Sequence, residues 1–273
     1  MTKQKLLLVK VGGKVVENPV ALNQLISDLS KLEGRKVMVH GGGVLATKTA
    51  AALGIETTMV EGRRITDDKM IDVVTMVYAG LVNKRVVTLL QANGTNAIGL
   101  CGADMNVILS EKRPVKTVDY GWVGDVKKVD GKALSSLIEN GVVPVMAPLT
   151  HDGQGHILNT NADTIAAETA KGLAPYYDVT LVFCFEKRGV LRDADDDADE
   201  RRVRLRGVEK RGRDYRWYDS KTRQRFLHHR QWRERGDYHL CKQPRRPQPR
   251  HTHQIIWLSV LNQNGNCKSN QEN

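Results

Sequence analysis

A chain of 273 residues, 40% of them hydrophobic and 27% charged, holds enough apolar material for one large or two smaller domains, which excludes a wholly disordered protein. Its formal charge of +11 invites a nucleic-acid reading, yet residues 201–250 hold 18 Lys and Arg against 5 Asp and Glu, whereas residues 1–200 hold 23 against 25. All of the excess basicity belongs to one segment, and the first 200 residues are close to neutral.

The run Lys5-Leu-Leu-Leu-Val-Lys-Val-Gly-Gly13 reads as an apolar strand that empties into a lysine and two glycines. Gly12 and Gly13 let backbone N–H groups approach an oxyanion closely, and the Lys10 ammonium adds a mobile point charge, so the loop is a candidate phosphate seat. Asn18 then offers an N-cap and Pro19 a first-turn proline to a helix with Leu22, Leu25, Ile26, Leu29 and Leu32 at helical spacing. The unit repeats without the lysine: residues 37–39 form a strand, Gly41, Gly42 and Gly43 follow His40, and residues 46–53 are helical. Either loop alone reads as well as a tight strand-to-helix turn. Two in one fold suggest one extended anionic ligand and favour phosphoryl chemistry. Alternation of this kind builds a doubly wound, mainly parallel α/β sheet with helices on both faces.

Residues 67–90 read as one long helix and residues 96–100 as a short buried strand ending at Gly102 and Asp104. Residues 121–126 with the Asp130-Gly131 turn suggest a hairpin beside the sheet. A helix over 133–139 stops at Asn140-Gly141, and the strand over 142–147 contains Pro144, which implies an edge position or a bulge. Asn159-Thr-Asn-Ala-Asp163 leads into a helix over 164–171, with Asn161 or Asp163 as its cap, and residues 179–185 form another apolar strand. Ligands of such sheets bind outside the carboxyl ends of the strands, where Gly12, Gly41 and Asn159 should fall. Cys101, Cys184, Cys241 and Cys267 lack C-x-x-C spacing, so reduced thiols are expected. The short N-terminal apolar run does not read as a signal peptide, and residues 255–261 are too few to span a bilayer, so a soluble, cytoplasmic protein without membrane association is expected.

From about residue 200 the apolar periodicities vanish and Arg, His, Gln and Trp accumulate. As a disordered basic tail the segment would bind polyanions, with Tyr215, Trp217, Tyr218 and Trp232 stacking on bases. Another explanation fits its details better. Read one base later, plausible codons for residues 215–225 spell Thr-Gly-Gly-Met-Ile-Pro-Lys-Leu-Asp-Asn-Ala, and those for 228–240 give a turn followed by a strand. A frameshift close to Glu200 is therefore expected, and nucleic acid is not the expected partner. If the given frame is what is made, the chain reads instead as an inactive remnant, with the strand over 179–185 left with unpaired edges.

Seven pieces, in order and spacing, resemble the acetylglutamate kinases of the amino-acid kinase superfamily: Lys10-Val-Gly-Gly13, Val39-His-Gly-Gly-Gly43, Glu61-Gly-Arg-Arg-Ile-Thr66, Ala97-Ile-Gly-Leu-Cys-Gly-Ala-Asp104, Gly121-Trp-Val-Gly124, Asn140-Gly-Val-Val-Pro144 and Asn159-Thr-Asn-Ala-Asp163. The resemblance covers about 190 residues. It implies transfer of a phosphoryl group from ATP with Mg2+ to the γ-carboxylate of an N-acyl-L-glutamate, in arginine biosynthesis. Lys10 would stabilise the moving phosphoryl group, and Gly12, Gly13 and Gly42 would bind its oxygens. Arg64 would pair with a substrate carboxylate, Gly41 to Gly43 and Asn159 would hold the acylated amino acid, and Asp163 would orient Lys10 and a second lysine. That second lysine belongs to a Gly-Gly-Met-x-x-Lys segment; Lys221 stands at its place without the flanking glycines. Glu186 and Gly189 fall where nucleotide contacts are expected, though Phe185-Glu186 replaces the usual Ser/Thr-Asp. The resemblance implies an acyl-glutamate and dimerisation lobe over 1–175, a nucleotide lobe from 176 to 199, and its remainder, or an aberrant basic segment, over 200–273. With no N-terminal helix before its first strand, the chain resembles the dimeric, arginine-insensitive members. Acetyl and succinyl acyl groups are not distinguished by the residues.

Overall fold

A computed structural model describes residues 3–185 and 254–259. The elements in chain order are β1 (Gln4–Val11), α1 (Gly13–Glu17), α2 (Pro19–Lys31), β2 (Arg35–His40), α3 (Gly43–Ala52), the small hairpin β3 (Met59–Val60) and β4 (Arg63–Arg64), α4 (Asp68–Thr75), α5 (Asn83–Ala92), β5 (Ala97–Leu100), β6 (Ile108–Lys112), β7 (Gly124–Val129), α6 (Gly131–Glu139), β8 (Val143–Met146), β9 (Leu149–His151), β10 (Ile157–Asn159), α7 (Ala162–Leu173), β11 (Tyr177–Phe185) and β12 (Gln254–Ser259).

Six strands form the main sheet in the order β12-β11-β1-β2-β8-β5, and every neighbouring pair is parallel. Strand alternation divides β1 between two cores. Val9 and Val11 pack with Leu22 and Ile26 of α2 and with Met70, Val74, Val86 and Leu90 on one face. Leu6 and Leu8 pack with Leu134 of α6 and with Ile165 and Leu173 of α7 on the other. Lys10 shares the parity of Leu6 and Leu8 and so emerges on the α7 side, at the carboxyl end of the strand. A smaller sheet, β10-β9-β6-β7, stands beside the main one.

The long helix spans Asp68–Ala92, but residues Met76–Val82 within it are π-helical. By length and composition it could cross a membrane; Met70, Val73, Val74, Val77, Val82, Val86 and Leu90 are instead buried in the protein's own core. Asn18 caps α2 as its sequence predicts, accepting from Val20 and Ala21 N–H at 3.1 Å each, and Pro19 opens the helix.

Three expectations change. Asp130-Gly131 is not a hairpin turn: the Asp130 carboxylate accepts the Ala133 N–H at 2.9 Å and starts α6, and a Cβ on Gly131 would lie 1.9 Å from the Gly172 carbonyl oxygen of α7. The antiparallel partner of β7 is β6, which comes before it. Pro144 lies on an interior strand between β2 and β5. Val143 N–H is given to Asn96 on the β5 side, so the Pro144 nitrogen faces β2, and pairing with β2 begins only at Met38 and Val145. The missing N–H therefore removes no ladder bond. Finally, β11 is not left with an open edge, because β12 pairs along Thr180 to Phe185.

Candidate active site

The carboxyl ends of β1 and β2 place the two glycine loops side by side. Gly12 N–H donates to the Cys184 carbonyl at 2.9 Å and Gly41 N–H to the Val11 carbonyl at 2.8 Å, so each loop is tied to the adjacent strand end. A Cβ on Gly13 would stand 3.4 Å from Gly42 N and 3.5 Å from Gly43 N, and one on Gly41 would stand 3.0 Å from Gly13 N. A side chain at Gly41 would push on the facing loop by a few tenths of an ångström, whereas one at Gly13 would meet it in ordinary contact. Gly13, Gly42 and Gly43 N–H groups find no acceptor among the described residues, and they open the helices α1 and α3, whose first N–H groups have no intrahelical partner.

Lys10 and Asp163 form an ion pair with Nζ 2.8 Å from Oδ1, and the two side chains are only 13% and 21% exposed. Asp163 is not the helix cap; that position belongs to Asn161, whose side chain accepts from Asp163 N–H at 2.8 Å and Thr164 N–H at 3.2 Å. The carboxylate is thereby released to face the lysine. A positive charge thus stands beside the N–H groups of two helix starts, an arrangement that favours an anion. Behind it, burial pushes the Cys184 thiol up to about 12, so this cysteine is packing and no nucleophile.

Arg64, on β4, is buried rather than a surface charge. Its Nη2 donates to the Gly43 carbonyl and to Thr47 Oγ1, both at 2.8 Å, and Nη1 donates to Thr57 Oγ1 at 3.2 Å. No carboxylate pairs with it among the described residues. A buried guanidinium with neutral partners alone keeps most of its desolvation cost until an anion arrives. Asn159 lies close by: its Nδ2 donates to Thr66 Oγ1 at 3.0 Å, and Thr66 Oγ1 donates to the Arg64 carbonyl at 3.1 Å. Main-chain bonds reinforce the junction, since Trp122 N–H donates to the Thr66 carbonyl at 2.6 Å and Asn159 N–H to the Trp122 carbonyl at 2.8 Å.

The structure therefore brings together Lys10 with Asp163, Gly12 and Gly13 with Gly41 to Gly43, and Arg64 with Gly43 and, through Thr66, with Asn159. Lys221, Glu186 and Gly189 lie outside the described residues. Sequence reasoning passed over Thr47, Tyr78 and Asn83, which stand outside the quoted motifs, and gave no role to Thr66, the last residue of one of them. His40 is fully buried with both ring nitrogens bonded, and burial holds its pKa down at about 4.

The chain is similar to proteins of known kind over most of its length. Acetylglutamate kinase of Bacteroides fragilis is 68% identical over 195 residues, 71% of this chain and 75% of that one. The acetylglutamate kinase of Cytophaga hutchinsonii is 55% identical over 194 residues, 71% and 74% of the two chains, and that of Methanopyrus kandleri 40% over 193 residues, 69% and 74%. In fold, the chain is similar to N-acetylglutamate synthase from Neisseria gonorrhoeae complexed with coenzyme A and N-acetyl-glutamate, with a TM-score of 0.68 at 21% identity; the likeness covers 93% of this chain and 54% of that one, about half its length. The amino acid kinase family matches residues 5–209, a span that contains both glycine loops, Arg64, Asn159 and the Lys10–Asp163 pair, and it is to this family that the chain belongs.

Proposed function

We propose that this protein is an acetylglutamate kinase, which transfers the γ-phosphoryl group of ATP to the γ-carboxylate of N-acetyl-L-glutamate in arginine biosynthesis. The observation that carries the reading is Lys10, paired with Asp163 at 2.8 Å beside two glycine loops in which the Gly13, Gly42 and Gly43 N–H groups meet no acceptor among the described residues. The identity of 68% to a protein named acetylglutamate kinase supports the choice of acceptor.

In the reaction a γ-carboxylate oxygen attacks the γ-phosphorus, the bond to the ADP oxygen breaks, and an acyl phosphate and ADP result. The carboxylate is already ionised at neutral pH, so no general base is needed. What the protein supplies is position and charge. Lys10 neutralises charge on the transferring group, and the amides of Gly13 and Gly42 bind its oxygens in fixed directions, with no reorganisation at the moment of transfer; Gly12, expected from the sequence to be a third donor, gives its N–H to the Cys184 carbonyl and shapes the loop instead. Arg64 takes a substrate carboxylate with its planar fork while Gly41, Gly43 and Asn159 seat the rest of the acylated amino acid. Asp163 orients Lys10 and, in this reading, Lys221; Glu186 and Gly189 contribute to the nucleotide seat, in a lobe that begins near Tyr176.

Mg2+ supplies neutralisation of the ATP phosphates. Among the described residues no group of three or more His, Cys, Asp or Glu is placed to hold a metal. We further propose a cytoplasmic homodimer, supported by the exposed Met76 and Leu81 on the outer side of the long helix.

The test is to incubate the protein with Mg-ATP and N-acetyl-L-glutamate, with N-succinyl-L-glutamate alongside, and to trap the product with hydroxylamine. Hydroxamate formed from the acetyl substrate establishes the activity. The absence of both product and any thermal shift with N-acetyl-L-glutamate or Mg-ADP would sink the reading.

A further inference from the structure

His40 precedes the second glycine loop and is entirely buried, and its two ring nitrogens face groups of opposite kind. Nδ1 lies 3.0 Å from the Gly41 carbonyl oxygen, which can only accept, so Nδ1 carries the proton. Nε2 lies 3.2 Å from the Asn83 side-chain nitrogen, which can only donate, so Nε2 is the bare acceptor. The orientation of the Asn83 amide is itself settled. Its nitrogen also lies 2.8 Å from the Val145 carbonyl oxygen, and an oxygen placed there would face another oxygen. The two amide protons thus meet two acceptors, while the amide oxygen faces the Lys84 ammonium at 3.4 Å.

The fold makes room for this contact. A Cβ on Gly99 of β5 would lie 1.7 Å from Asn83 Oδ1, so only glycine lets the helix side chain reach across to the ends of β8 and β2. Asn83 follows the π-helical residues Met76–Val82, and Tyr78, five residues earlier, presses on the same loop: a Cβ on Gly42 would lie 2.9 Å from Tyr78 Cδ1. Five residues of an uninterrupted α-helix would turn the two side chains about 140° apart. A π turn, whose hydrogen bonds run from i to i+5, returns them to one side.

The consequence reaches the amide proposed to meet the phosphoryl group. In a planar trans peptide the C=O and the following N–H point in opposite directions. Holding the Gly41 carbonyl toward the His40 ring therefore aims the Gly42 N–H the other way, while the Gly41 N–H is fixed separately on Val11 at 2.8 Å.

We propose that Asn83 is a positioning residue of the phosphoryl-transfer site: it keeps His40 in the Nδ1–H form, and that proton sets the direction of the Gly42 amide. This rests on the kinase reading for its consequence, but not for its structural core.

The test has two arms on the full chain. Long-range proton–nitrogen spectra of the histidine rings read the tautomer without turnover. His40 is expected with Nδ1 protonated and Nε2 bare at neutral pH; a protonated Nε2 overturns the proposal whatever the enzyme does. In Asn83→Asp the carboxylate offers no proton to Nε2, and the ring is expected to acquire one there. Turnover is then expected to fall by about tenfold or more in kcat, with KM for N-acetyl-L-glutamate within about threefold, because Arg64 and Asn159 are untouched. Wild-type kcat in Asn83→Asp overturns the positioning role. Should that variant fail to fold, His40→Asn replaces the ring donor with an amide that can reach the same carbonyl, and is expected to keep several-fold more kcat than His40→Leu; equal losses also overturn it.

Discussion

Lys10 Nζ and Asp163 Oδ1, 2.8 Å apart, join the end of the first strand to the first turn of the last helix before β11. The pair is mostly buried, and Asn161 rather than Asp163 does the capping, so the carboxylate serves the ammonium. Lys10→Ala is expected to lower kcat by roughly three orders of magnitude or more, the scale of losing a preorganised charge at a developing transition state. Circular dichroism should show the fold retained. A variant keeping even a tenth of wild-type turnover would remove Lys10 from the mechanism.

Arg64 tests the other end of the substrate. Its Nη2 spans Gly43 and Thr47, and its fork has no carboxylate among the described residues. Arg64→Lys keeps the charge and loses the planar geometry, so KM for N-acetyl-L-glutamate should rise by about a hundredfold, corresponding to roughly 3 kcal/mol, with a smaller change in kcat. An unchanged KM would place the substrate carboxylate elsewhere.

These two sites differ in how they are written in the sequence. Lys10, the glycines and Asp163 are legible because each stands at a strand end or helix start marked by local residues. The His40–Asn83 contact is not, because a lone asparagine in an apolar helix carries no sign of what lies across from it, and a π turn has no residue signature. Pro144 misleads for a related reason: whether proline is tolerated in a strand depends on where pairing with the neighbour begins, and that is a property of register. Asp130-Gly131 is ambiguous at root, since the same two residues make a tight turn or an N-cap, and only the chain that follows decides.

At the opposite end of the sheet, Arg35 binds Glu139 through Nε–Oε1 and Nη2–Oε2 contacts of 2.7 Å each, and Tyr177 adds a 2.7 Å hydrogen bond. The bond to Arg35 first, and that from Tyr177 second, hold the Glu139 carboxyl down at about 2. A folded pKa below the unfolded one contributes stability above the unfolded value, and that contribution is lost as pH falls toward the folded one. Glu139→Gln should therefore melt lower than wild type at pH 6, with the gap closing as pH falls from about 4.5 toward 2. A gap independent of pH across that window would mean the carboxylate's charge contributes nothing.

The homodimer makes a separate demand. Met76 and Leu81 are 54% and 47% exposed on the long helix whose other side fills the core. Burying such residues against a second copy would stabilise association by about 1 to 2 kcal/mol each. Sedimentation should give about twice the chain mass of 30.5 kDa for wild type, and a single chain for Met76→Lys combined with Leu81→Lys. A wild-type monomer would end this proposal without touching the active site.

The largest stake lies at about residue 200. Before it Lys and Arg number 23 against 25 Asp and Glu; across residues 201–250 they number 18 against 5. Identity of 68% to the Bacteroides fragilis protein extends over 71% of this chain and 75% of the other, which leaves 29% and 25% of the two outside the match. Divergence at that level lowers identity gradually, whereas a change of reading frame ends it at one codon. Resequencing the coding DNA over codons 190–215 is expected to reveal a one-base discrepancy. The corrected frame would place a Gly-Gly-Met-x-x-Lys segment where Lys221 now stands, so that a second ammonium could join Lys10 on the phosphates. If the given frame is confirmed, the acyl-glutamate side, built from Arg64 and Asn159, should still bind its ligand, while phosphoryl transfer should fail because Lys221 lacks the flanking glycines that would seat it on the phosphates.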